Sequence, residues 1–463
     1  MIKILIVLGV ALLMACSSPQ QINQSKTTLI SINALKSDLM QLKELLDSTH
    51  PDPSFTMDVE AAKLHIDKLS EELDAPLNQF EAWKYMSQLN PFFSDGHMAI
   101  FYPELDKSYN QHIENRGQLF PIDIRISKSN KLYVNTNKYE SLDINLGDEI
   151  TKINGSAASD VVDTILSRMH GDSLIHRQAL ASDRFAKMFW LMYGDSGDYH
   201  FEIYSGSKRR EAVIDGVFGE RDKSTFTIDD FASRKILNNN IGYLRIDRFY
   251  YPPYLEESFF KFMEETWLAF KQEKVQDVII DVRTNPGGTD HYWQGGIAPY
   301  VASKPFPFIS KFKIRLTERN LKLGPVKGEL GSIVSGPYEP LIPVSGKENH
   351  KIPGKAYLLM GPLSYSSTIL FLTAFQDAEQ AVIVGQRTGG RSCTTGRIQP
   401  FQLAGSKLEV TIPTAIFTRS AGAVKCHDPI EPDIVLPINA AEPGNSIAEL
   451  EKIIMKRRIK SSL

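Results

Sequence analysis

The fold is organised around the stretch Gly361-Pro-Leu-Ser-Tyr-Ser-Ser-Thr-Ile-Leu-Phe-Leu-Thr-Ala-Phe-Gln-Asp377. It follows a short apolar run, Ala356–Met360, which predicts a buried β-strand. A Gly-Pro pair ends that strand, and the apolar residues from Ile369 onward predict a buried helix. The sequence therefore places Ser366 at a strand-to-helix turn, where the first backbone N–H groups of a helix have no intrahelical acceptor.

Two interpretations of Ser366 follow from this position. Serine is a common N-cap residue, and Ser366 could simply cap the helix. Alternatively, an exposed hydroxyl beside free N–H groups is the arrangement that acyl transfer requires, because those groups can hold an oxyanion. The stretch alone leaves both interpretations open, and the rest of the chain is needed to choose between them.

The composition is that of a folded, multidomain protein. The chain has 463 residues, of which 42% are hydrophobic and 23% are charged, and this length predicts two or three domains. The formal net charge is −3 with no long run of one sign. This argues against nucleic acid as a partner, because phosphate binding needs a basic face. No residue spacing predicts a metal site, and no loop predicts a bound cofactor.

The first residues predict an export signal. A basic residue precedes the apolar run Ile4–Leu12, which is too short to span a bilayer. Leu13-Met-Ala-Cys16 then resembles the lipobox of bacterial lipoproteins. We therefore expect residues 1–16 to be a lipoprotein signal peptide. Lipid on Cys16 would then anchor the protein to the membrane. A plain cleaved secretory signal is the alternative.

The residues after the lipobox bear on the compartment. Residues 17–29 are polar and predict a flexible tether. By resemblance to lipoprotein sorting in proteobacteria, Ser17 after the cysteine suggests the outer membrane, with the protein facing the periplasm. The remaining cysteines, Cys393 and Cys426, could pair in an oxidising compartment or stay as two buried thiols.

Hydrophobic periodicity divides the rest of the chain into regions. Residues 30–110 carry apolar residues at helical spacing and predict a small helical N-terminal domain. Residues 225–445 alternate strands with helices and predict a layered α/β core. Residues 217–235 are interpreted as a linker, residues 324–355 as an exposed loop or lid, and residues 446–463 as a C-terminal helix.

Residues 116–215 resemble a PDZ domain. The segment Leu146-Gly-Asp-Glu-Ile-Thr-Lys-Ile-Asn-Gly155 has the strand-and-turn pattern of that fold, and a helix is predicted over Ala158–Met169. PDZ domains bind a peptide as an added strand and hold its terminal carboxylate with backbone N–H groups. The usual Gly-Leu-Gly-Phe-like carboxylate loop is not evident near Leu119-Phe120-Pro121, which argues against this mode of binding.

Four further motifs occur in order along the chain: Asp281-Val-Arg-Thr-Asn-Pro-Gly-Gly288, Ser366 on its turn, Val384-Gly-Gln-Arg-Thr-Gly-Gly390, and Pro429-Ile-Glu-Pro-Asp433. Together they resemble the tail-specific, or C-terminal-processing, serine peptidases. The relatives of that family include the tricorn protease core and the interphotoreceptor retinoid-binding repeats. The resemblance covers roughly residues 225 to 440 and implies a crotonase/ClpP-like layered core in a multidomain α/β protein.

The resemblance also implies roles for individual residues. Ser366 matches the nucleophile, and the N–H groups of Ser367 and of Gly287 or Gly288 would form the oxyanion hole. Bacterial members of the family use a lysine base where this sequence has Arg391. Arginine stays protonated and is a poor base. Arg391 is instead expected to bind substrate, for example a peptide carboxylate, or to be a salt-bridged structural residue.

A histidine is the expected general base. A lone histidine is more often structural, but tricorn-like members use one near the start of the core region, and His97 in Asp95-Gly96-His97 resembles it. We therefore expect a Ser366–His97 pair in which the imidazole takes the hydroxyl proton. His427 is the alternative base. A carboxylate should orient the imidazole, and the candidates are Asp428, Glu431 and Asp377.

These features imply a serine peptidase that hydrolyses envelope peptides or proteins without a cofactor. The alternative is a catalytically inactive relative that binds peptides or apolar ligands, as the retinoid-binding members do. A crotonase-like acyl transferase would share the layered fold, but the sequence shows no loop for a nucleotide phosphate.

Overall fold

The computed structural model describes residues 28–136, 144–219, 225–324, 326–344, 346–347, 350–436 and 445–461. The expected signal peptide and the lipidation site at Cys16 lie outside the described residues. Within them, helices and several sheets form a multidomain α/β structure, which confirms the predicted fold class. Among these residues, none of the helices combines the length and the apolar character needed to cross a bilayer.

The helices of the described residues are α1 (Ile32–Thr49), α2 (Val59–Glu72), α3 (Gln79–Met86), α4 (Asn90–Phe93), α5 (Leu105–Glu114), α6 (Ala158–Leu166), α7 (Leu174–Asp183), α8 (Phe185–Tyr193), α9 (Glu256–Gln272), α10 (Asp290–Gly296), α11 (Ala298–Val301), α12 (Glu318–Leu323), α13 (Ser367–Asp377) and α14 (Asn445–Ser461).

The strands are β1 (Ala99–Phe101), β2 (Gln118–Leu119), β3 (Asp123–Ile126), β4 (Leu132–Thr136), β5 (Glu149–Ile153), β6 (Ser156–Ala157), β7 (Asp198–Ser205), β8 (Lys208–Asp215), β9 (Val217–Phe218), β10 (Ala232–Leu237), β11 (Ile241–Ile246), β12 (Asp277–Asp281), β13 (Phe306–Pro307), β14 (Ile309–Arg315), β15 (Ile333–Pro337), β16 (Leu341–Ile342), β17 (Ala356–Met360), β18 (Val382–Gly385), β19 (Thr394–Gln402), β20 (Glu409–Arg419) and β21 (Ile434–Val435).

The N-terminal helices begin at capped ends and bury one apolar face each. The side chains of Ser31, Asp58 and Asn78 accept backbone N–H groups at the starts of α1, α2 and α3, and Glu81 completes a capping box with Asn78. The buried faces share a continuous apolar core with an antiparallel sheet of order β3-β4-β5-β7-β8. This packing joins the N-terminal helices and the sheet that ends with β8 at Asp215 into one unit.

Helix α7 covers the β3 edge of that sheet. The N–H of Ile126 donates to the Ser182 hydroxyl at 2.9 Å, so a backbone group that an added peptide strand would use is already bonded. A peptide could pair with β3 only if α7 moved away. The structure therefore gives a second reason, besides the absent carboxylate loop, to doubt strand addition at this edge.

The core is built on a sheet of order β10-β11-β12-β17-β18-β21, parallel except for the β10–β11 pair. Every residue of β12 and β17 is buried, as expected of parallel strands that are covered on both faces. Residues of α9, α10 and α13 pack on one face, and residues of α14 pack on the other. The uninterrupted apolar runs in the sequence reflect this double burial.

A second sheet links the N-terminal region to the core. Its order is β1-β20-β14-β15, and β19 also pairs with β20. Ala99 of β1 stands opposite Thr411 of β20, and the Thr411 hydroxyl donates to the carbonyl of His97 at 2.9 Å. Residue 97 is therefore fixed beside the β19–β20 hairpin, although the two lie some three hundred positions apart in sequence.

Two regional expectations were wrong. Residues 217–235 are not only a linker, because β10 forms there and pairs antiparallel with β11. Residues 324–355 contain β15, which pairs with β14. Both are edge strands with largely exposed side chains, and charged or polar residues are common on such edges because they discourage association. Charged residues in β10, and glycine and proline at the end of β15, concealed the strand signal.

Asp38 connects α1 to the turn between β19 and β20. Its buried carboxylate accepts the N–H groups of Gly405 at 2.7 Å and Ser406 at 2.6 Å. We predict that Asp38→Ala lowers the free energy of unfolding by about 2 to 4 kcal/mol, because two buried donors lose their acceptor. The midpoints of thermal and urea unfolding measure this loss.

Asp47→Ala is the matched control for that substitution. Asp47 also lies on α1, but its carboxylate is exposed and pairs with Lys63 at 2.8 Å. We expect a change below about 1 kcal/mol, as is usual for an exposed ion pair. Equal effects of the two substitutions would contradict the assigned role of Asp38.

Candidate active site

Ser366 lies on the turn between β17 and α13 in a strained backbone conformation. Its φ of 56° and ψ of −122° are angles that residues other than glycine rarely adopt. Backbone hydrogen bonds hold the turn, from Tyr365 N–H to the Asn285 carbonyl at 3.1 Å and from Thr368 N–H to the Tyr365 carbonyl at 3.0 Å. The Ser366 hydroxyl makes no capping hydrogen bond, so the capping interpretation does not describe it.

His97 reaches this serine from the N-terminal region. Its Nε2 lies 2.9 Å from the Ser366 Oγ. The imidazole is buried and packs against the ring of Tyr365, with the ring centres 4.8 Å apart. With the imidazole proton on Nδ1, Nε2 can accept the hydroxyl proton of Ser366. The structure thus brings together the two residues expected to act as nucleophile and base.

The Nδ1 side of the imidazole is held by a threonine and an aspartate. Nδ1 lies 2.9 Å from the Thr395 Oγ1, and that hydroxyl donates to Asp95 Oδ1 at 3.0 Å. The same Asp95 oxygen accepts the backbone N–H of His97 at 2.7 Å and lies 3.8 Å from Nδ1. Thr395 can therefore accept the Nδ1 proton while Asp95 supports it from behind.

Sequence reasoning did not identify this pair. Asp95 stands two residues before His97, but the pattern Ser94-Asp95-Gly96 is typical of a turn and by itself indicates nothing more. Thr395 follows Cys393-Thr394 on β19 and carries no motif of its own. Only the placement of β1 and β19 on the same strand, β20, brings Thr395 to the imidazole.

The carboxylates expected to orient His97 lie elsewhere. Glu431 lines the same cleft, but its exposed carboxylate faces Arg387 at 3.8 Å. Asp428 is exposed, and its carbonyl accepts the N–H of Ser392 at 2.7 Å. Neither is a hydrogen-bond partner of His97 in the described structure, where Thr395 occupies the Nδ1 position.

The two remaining alternatives are also placed away from Ser366. Asp377 ends α13 and is bound by the guanidinium of Arg419, the hydroxyl of Ser420 and the N–H of Ala421. It therefore ties the helix end to the end of β20. His427, the alternative base, is exposed and packs against the ring of Phe55 at 5.0 Å.

Two backbone N–H groups beside Ser366 are available for an oxyanion. Ser367 is the first residue of α13, and its N–H has no intrahelical acceptor. Of the two glycine alternatives, the Gly287 N–H donates to the Asn285 side chain at 2.9 Å, whereas no acceptor for the Gly288 N–H is present among the described residues. A Cβ on Gly287 would stand 2.7 Å from the Cβ of Ser366, so only glycine allows this loop to lie against the nucleophile.

Arg391 is structural in its contacts. Its guanidinium donates to the carbonyl of Ser94 at 2.7 Å and of Thr56 at 2.9 Å, and it pairs with Asp172 at 3.4 Å. The side chain is only 13% exposed and does not line the cleft. These contacts support the structural alternative for Arg391 rather than substrate binding.

Asp172 joins three segments behind the imidazole. It accepts the Tyr365 hydroxyl at 2.6 Å, the Gly96 N–H at 2.8 Å and the Arg391 N–H at 3.0 Å. One carboxylate just before α7 therefore positions the turns that carry His97 and Ser366. Sequence reasoning did not single out this residue, since a lone aspartate in a loop has no distinguishing pattern.

Cys393 and Cys426 form a disulfide, with their Cα atoms 4.6 Å apart. Of the two alternatives that the sequence left open, pairing is therefore the one present. The bond lies two residues before Thr395 and ties the start of β19 to the loop that leads to Pro429.

Burial dominates the electrostatics of the site. Desolvation lowers the pKa of His97 to about 4, although the charge of Asp172 opposes this shift. Burial and then the nearby Asp172 raise the pKa of Asp95 to about 7. Burial alone would raise the pKa of Asp172, but Arg391, His176 and hydrogen bonds hold it below its usual value. The imidazole is thus neutral and able to act as a base at neutral pH.

Known proteins resemble this chain in part of its sequence and in its fold. Residues 240–436 match the family model described as Peptidase family S41. The structure of mature CPAF complexed with lactacystin is similar in fold, with a TM-score of 0.64 at 15% identity over 91% of this chain and 97% of that one. A CPAF S499A mutant structure gives 0.63 at 14% identity over 90% and 95%. The photosystem II D1 C-terminal processing protease gives 0.46 at 13% identity over 87% and 92%.

The two perturbed groups predict a two-step pH dependence for the reaction of Ser366 with a fluorophosphonate. The lowered pKa of His97 keeps the imidazole neutral down to about pH 4, so reactivity appears as the pH rises through that value. The raised pKa of Asp95 means that its negative charge, which stabilises the imidazolium formed during attack, exists only above about pH 7. The second-order labelling rate should therefore rise again near pH 7.

Two substitutions separate these steps. Asp95→Asn should remove the rise in labelling rate near pH 7 and keep the rise near pH 4. Asp183→Asn is the control, because the pKa of this cleft carboxyl is also raised by burial but it does not contact His97. A single step near pH 6.5 in the unmodified protein would contradict the buried imidazole.

Proposed function

We propose that the chain hydrolyses peptide bonds through a Ser366–His97 acyl-enzyme mechanism, and the match of residues 240–436 to the model of Peptidase family S41 supports this proposal. The observation that carries this proposal is the 2.9 Å approach of His97 Nε2 to the Ser366 Oγ. A nucleophile within hydrogen-bond distance of a neutral, oriented base is the arrangement that activates serine.

The steps follow from the positions of the groups. Ser366 Oγ attacks the peptide carbonyl while His97 Nε2 takes the hydroxyl proton. The negative charge on the former carbonyl oxygen is held by the N–H groups of Ser367 and Gly288, each of which typically contributes 10²- to 10³-fold in rate. The C–N bond then breaks as His97 returns the proton to the leaving amine, and water hydrolyses the acyl-enzyme by the same route.

Thr395 and Asp95 take the place that the sequence assigned to Asp428, Glu431 or Asp377. The Nδ1–H of His97 donates to the Thr395 hydroxyl, which donates to Asp95. These two hydrogen bonds fix the tautomer of His97 that leaves Nε2 free to accept a proton, and the Asp95 charge stabilises the imidazolium. Thr395 and Asp95 are positioning residues, since they act through His97.

The substrates we propose are peptides or proteins of the bacterial cell envelope. This rests on the expected signal peptide and the lipid anchor at Cys16, which would hold the enzyme at the outer membrane facing the periplasm. The Cys393–Cys426 disulfide suits an oxidising compartment of this kind. The inactive, ligand-binding alternative has less support, because the nucleophile and the base are both present and in contact.

A fluorophosphonate probe tests the proposed mechanism. We predict that it labels the full chain on Ser366, that Ser366→Ala abolishes both labelling and peptide hydrolysis, and that His97→Gln slows labelling at least about 100-fold. Ser420→Ala is the control, since Ser420 is a hydroxyl residue outside the cleft. Folded protein that neither labels nor cleaves a peptide library would refute the mechanism and favour the inactive alternative.

The role of Thr395 gives a separate prediction. Thr395→Val keeps the shape of the side chain but removes the acceptor for Nδ1–H, so kcat should fall by about 10²-fold or more with little change in KM. Thr395→Ser should restore most of the rate, because it keeps the hydroxyl. The control is Thr394→Val, whose hydroxyl donates to the backbone carbonyl of Thr395 and does not contact His97. A change in KM alone would contradict a positioning role.

A further inference from the structure

The cleft that contains Ser366 has an excess of positive charge. It encloses about 2030 Å³, and the described residues that line it include nine arginines and lysines against five aspartates and glutamates. The whole chain has a net charge of −3, so the cleft has the opposite sign to the molecule. A cleft lined mainly by one sign of charge raises the local concentration of oppositely charged ligands.

Several of these cations are already neutralised by the protein. Arg245 pairs with Asp247 at 3.3 Å, Arg283 with Asp281 at 2.7 Å and Arg387 with Glu431 at 3.8 Å. Pairs of this kind leave little net charge for a substrate to use. They do not explain the excess of cations in the cleft.

Arg248 differs from these arginines. Among the described residues, no carboxylate lies within 4.0 Å of its guanidinium, and the guanidinium donates no hydrogen bond to the protein. Its Nε is buried without an acceptor, as is the Nε of Arg245, but Arg248 also lacks the carboxylate partner that Arg245 has. The neighbouring Asp247 is occupied by Arg245 and by the hydroxyl of Thr284 at 3.0 Å. Arg248 as a whole is only partly buried and lines the cleft, so a ligand there can reach its terminal nitrogens, which donate to no described residue.

Two aromatic rings hold the Arg248 guanidinium in place. It lies 4.0 Å from the ring centre of Phe231 and 4.7 Å from that of Tyr250. Stacking of this kind fixes the planar guanidinium and reduces its hydration. The loss of side-chain entropy and the desolvation penalty on binding an anion are therefore smaller. The side chain is therefore pre-organised for a planar anion such as a carboxylate.

Arg248 also stands next to the loop that faces the nucleophile. The residue after it, Phe249, donates its N–H to the Gly287 carbonyl at 2.8 Å and accepts the Thr289 N–H at 2.6 Å. Arg248 and Tyr250 flank this bridge, and both line the cleft together with Gly287, Gly288 and Ser366. A peptide whose carbonyl is held at Ser366 would therefore pass close to the guanidinium.

We propose that Arg248 is a specificity-determining residue that binds a carboxylate of the substrate peptide, either an acidic side chain near the scissile bond or the free C terminus. This inference rests on the proposed peptidase function and adds the substrate class to it. The fork of the guanidinium would donate two parallel hydrogen bonds to the carboxylate, with the rings of Phe231 and Tyr250 excluding water.

The test uses pairs of internally quenched peptides that share one cleavable sequence. In the first arm both ends are blocked, and Glu is compared with Gln at each of three positions on either side of the scissile bond. In the second arm acidic side chains are absent, and a free C terminus is compared with its amide. We expect kcat/KM to favour the carboxylate by about 10- to 100-fold at one position or in the second arm.

The preference in kcat/KM for the carboxylate member of a peptide pair should depend on Arg248. Arg248→Met should bring the ratio of kcat/KM for the carboxylate peptide to that for its neutral partner close to one. Arg248→Lys should keep part of the preference, since lysine retains the charge but not the planar fork. Arg248→Glu should reverse it, so that Lys is preferred to Gln at that position. Arg387→Met is the matched control, because Arg387 lines the same cleft but already pairs with Glu431, and its ratio should stay unchanged.

The possible failures are distinguishable. Wild-type enzyme that cleaves both members of every pair equally, or an Arg248→Met variant with an unchanged ratio, would overturn this inference and leave the peptidase mechanism standing. Wild-type protein that cleaves neither member of any pair would count against the proposed function itself.

Discussion

The hydrogen bond between His97 Nε2 and the Ser366 Oγ joins residues that are 269 positions apart, and the rest of the structure keeps them in register. On one side, β1 pairs with β20, and the Thr411 hydroxyl holds the carbonyl of His97. On the other, the strained turn after β17 presents the serine, and Gly287 packs directly against it. A small displacement of either element would separate the two atoms, because proton transfer needs hydrogen-bond distance.

The surroundings of this pair are buried and polar, which is costly unless nearly every group is bonded. The two buried carboxylates, Asp172 and Asp95, differ in how readily they hold a negative charge. Asp172 stays charged because Arg391 and several donors surround it, whereas the pKa of Asp95 rises because burial and the charge of Asp172 oppose a second negative charge. The imidazole therefore has one neighbouring charge that is constant, on Asp172, and one that depends on pH, on Asp95. Arg391 contributes by stabilising the first of them, although it never reaches the cleft.

Local chemistry made part of this site predictable from the sequence. The strand, the Gly-Pro break and the apolar helix placed Ser366 on its strand-to-helix turn. His97 was expected only from the resemblance of Asp95-Gly96-His97 to tricorn-like peptidases, and it lies 2.9 Å from the Ser366 Oγ. Thr395 and Asp172 were not predictable in this way, because their roles depend on strand register and on the docking of α7 rather than on neighbouring residues. The charged edge strand β10 was missed for a related reason: one exposed face dilutes the apolar pattern on which strand prediction depends.

The division of the site between distant segments has a consequence for how the enzyme is made. The region that matches the family model, residues 240–436, contains Ser366 and the expected oxyanion donors but not His97, Asp95 or Asp172. Excised by itself, that region would lack its proton acceptor under the proposed mechanism. Under the same mechanism, a chain still on the ribosome would stay inactive until β19 had been made and had brought Thr395 to His97. The proposed mechanism therefore implies that incomplete copies of the chain do not cleave peptides.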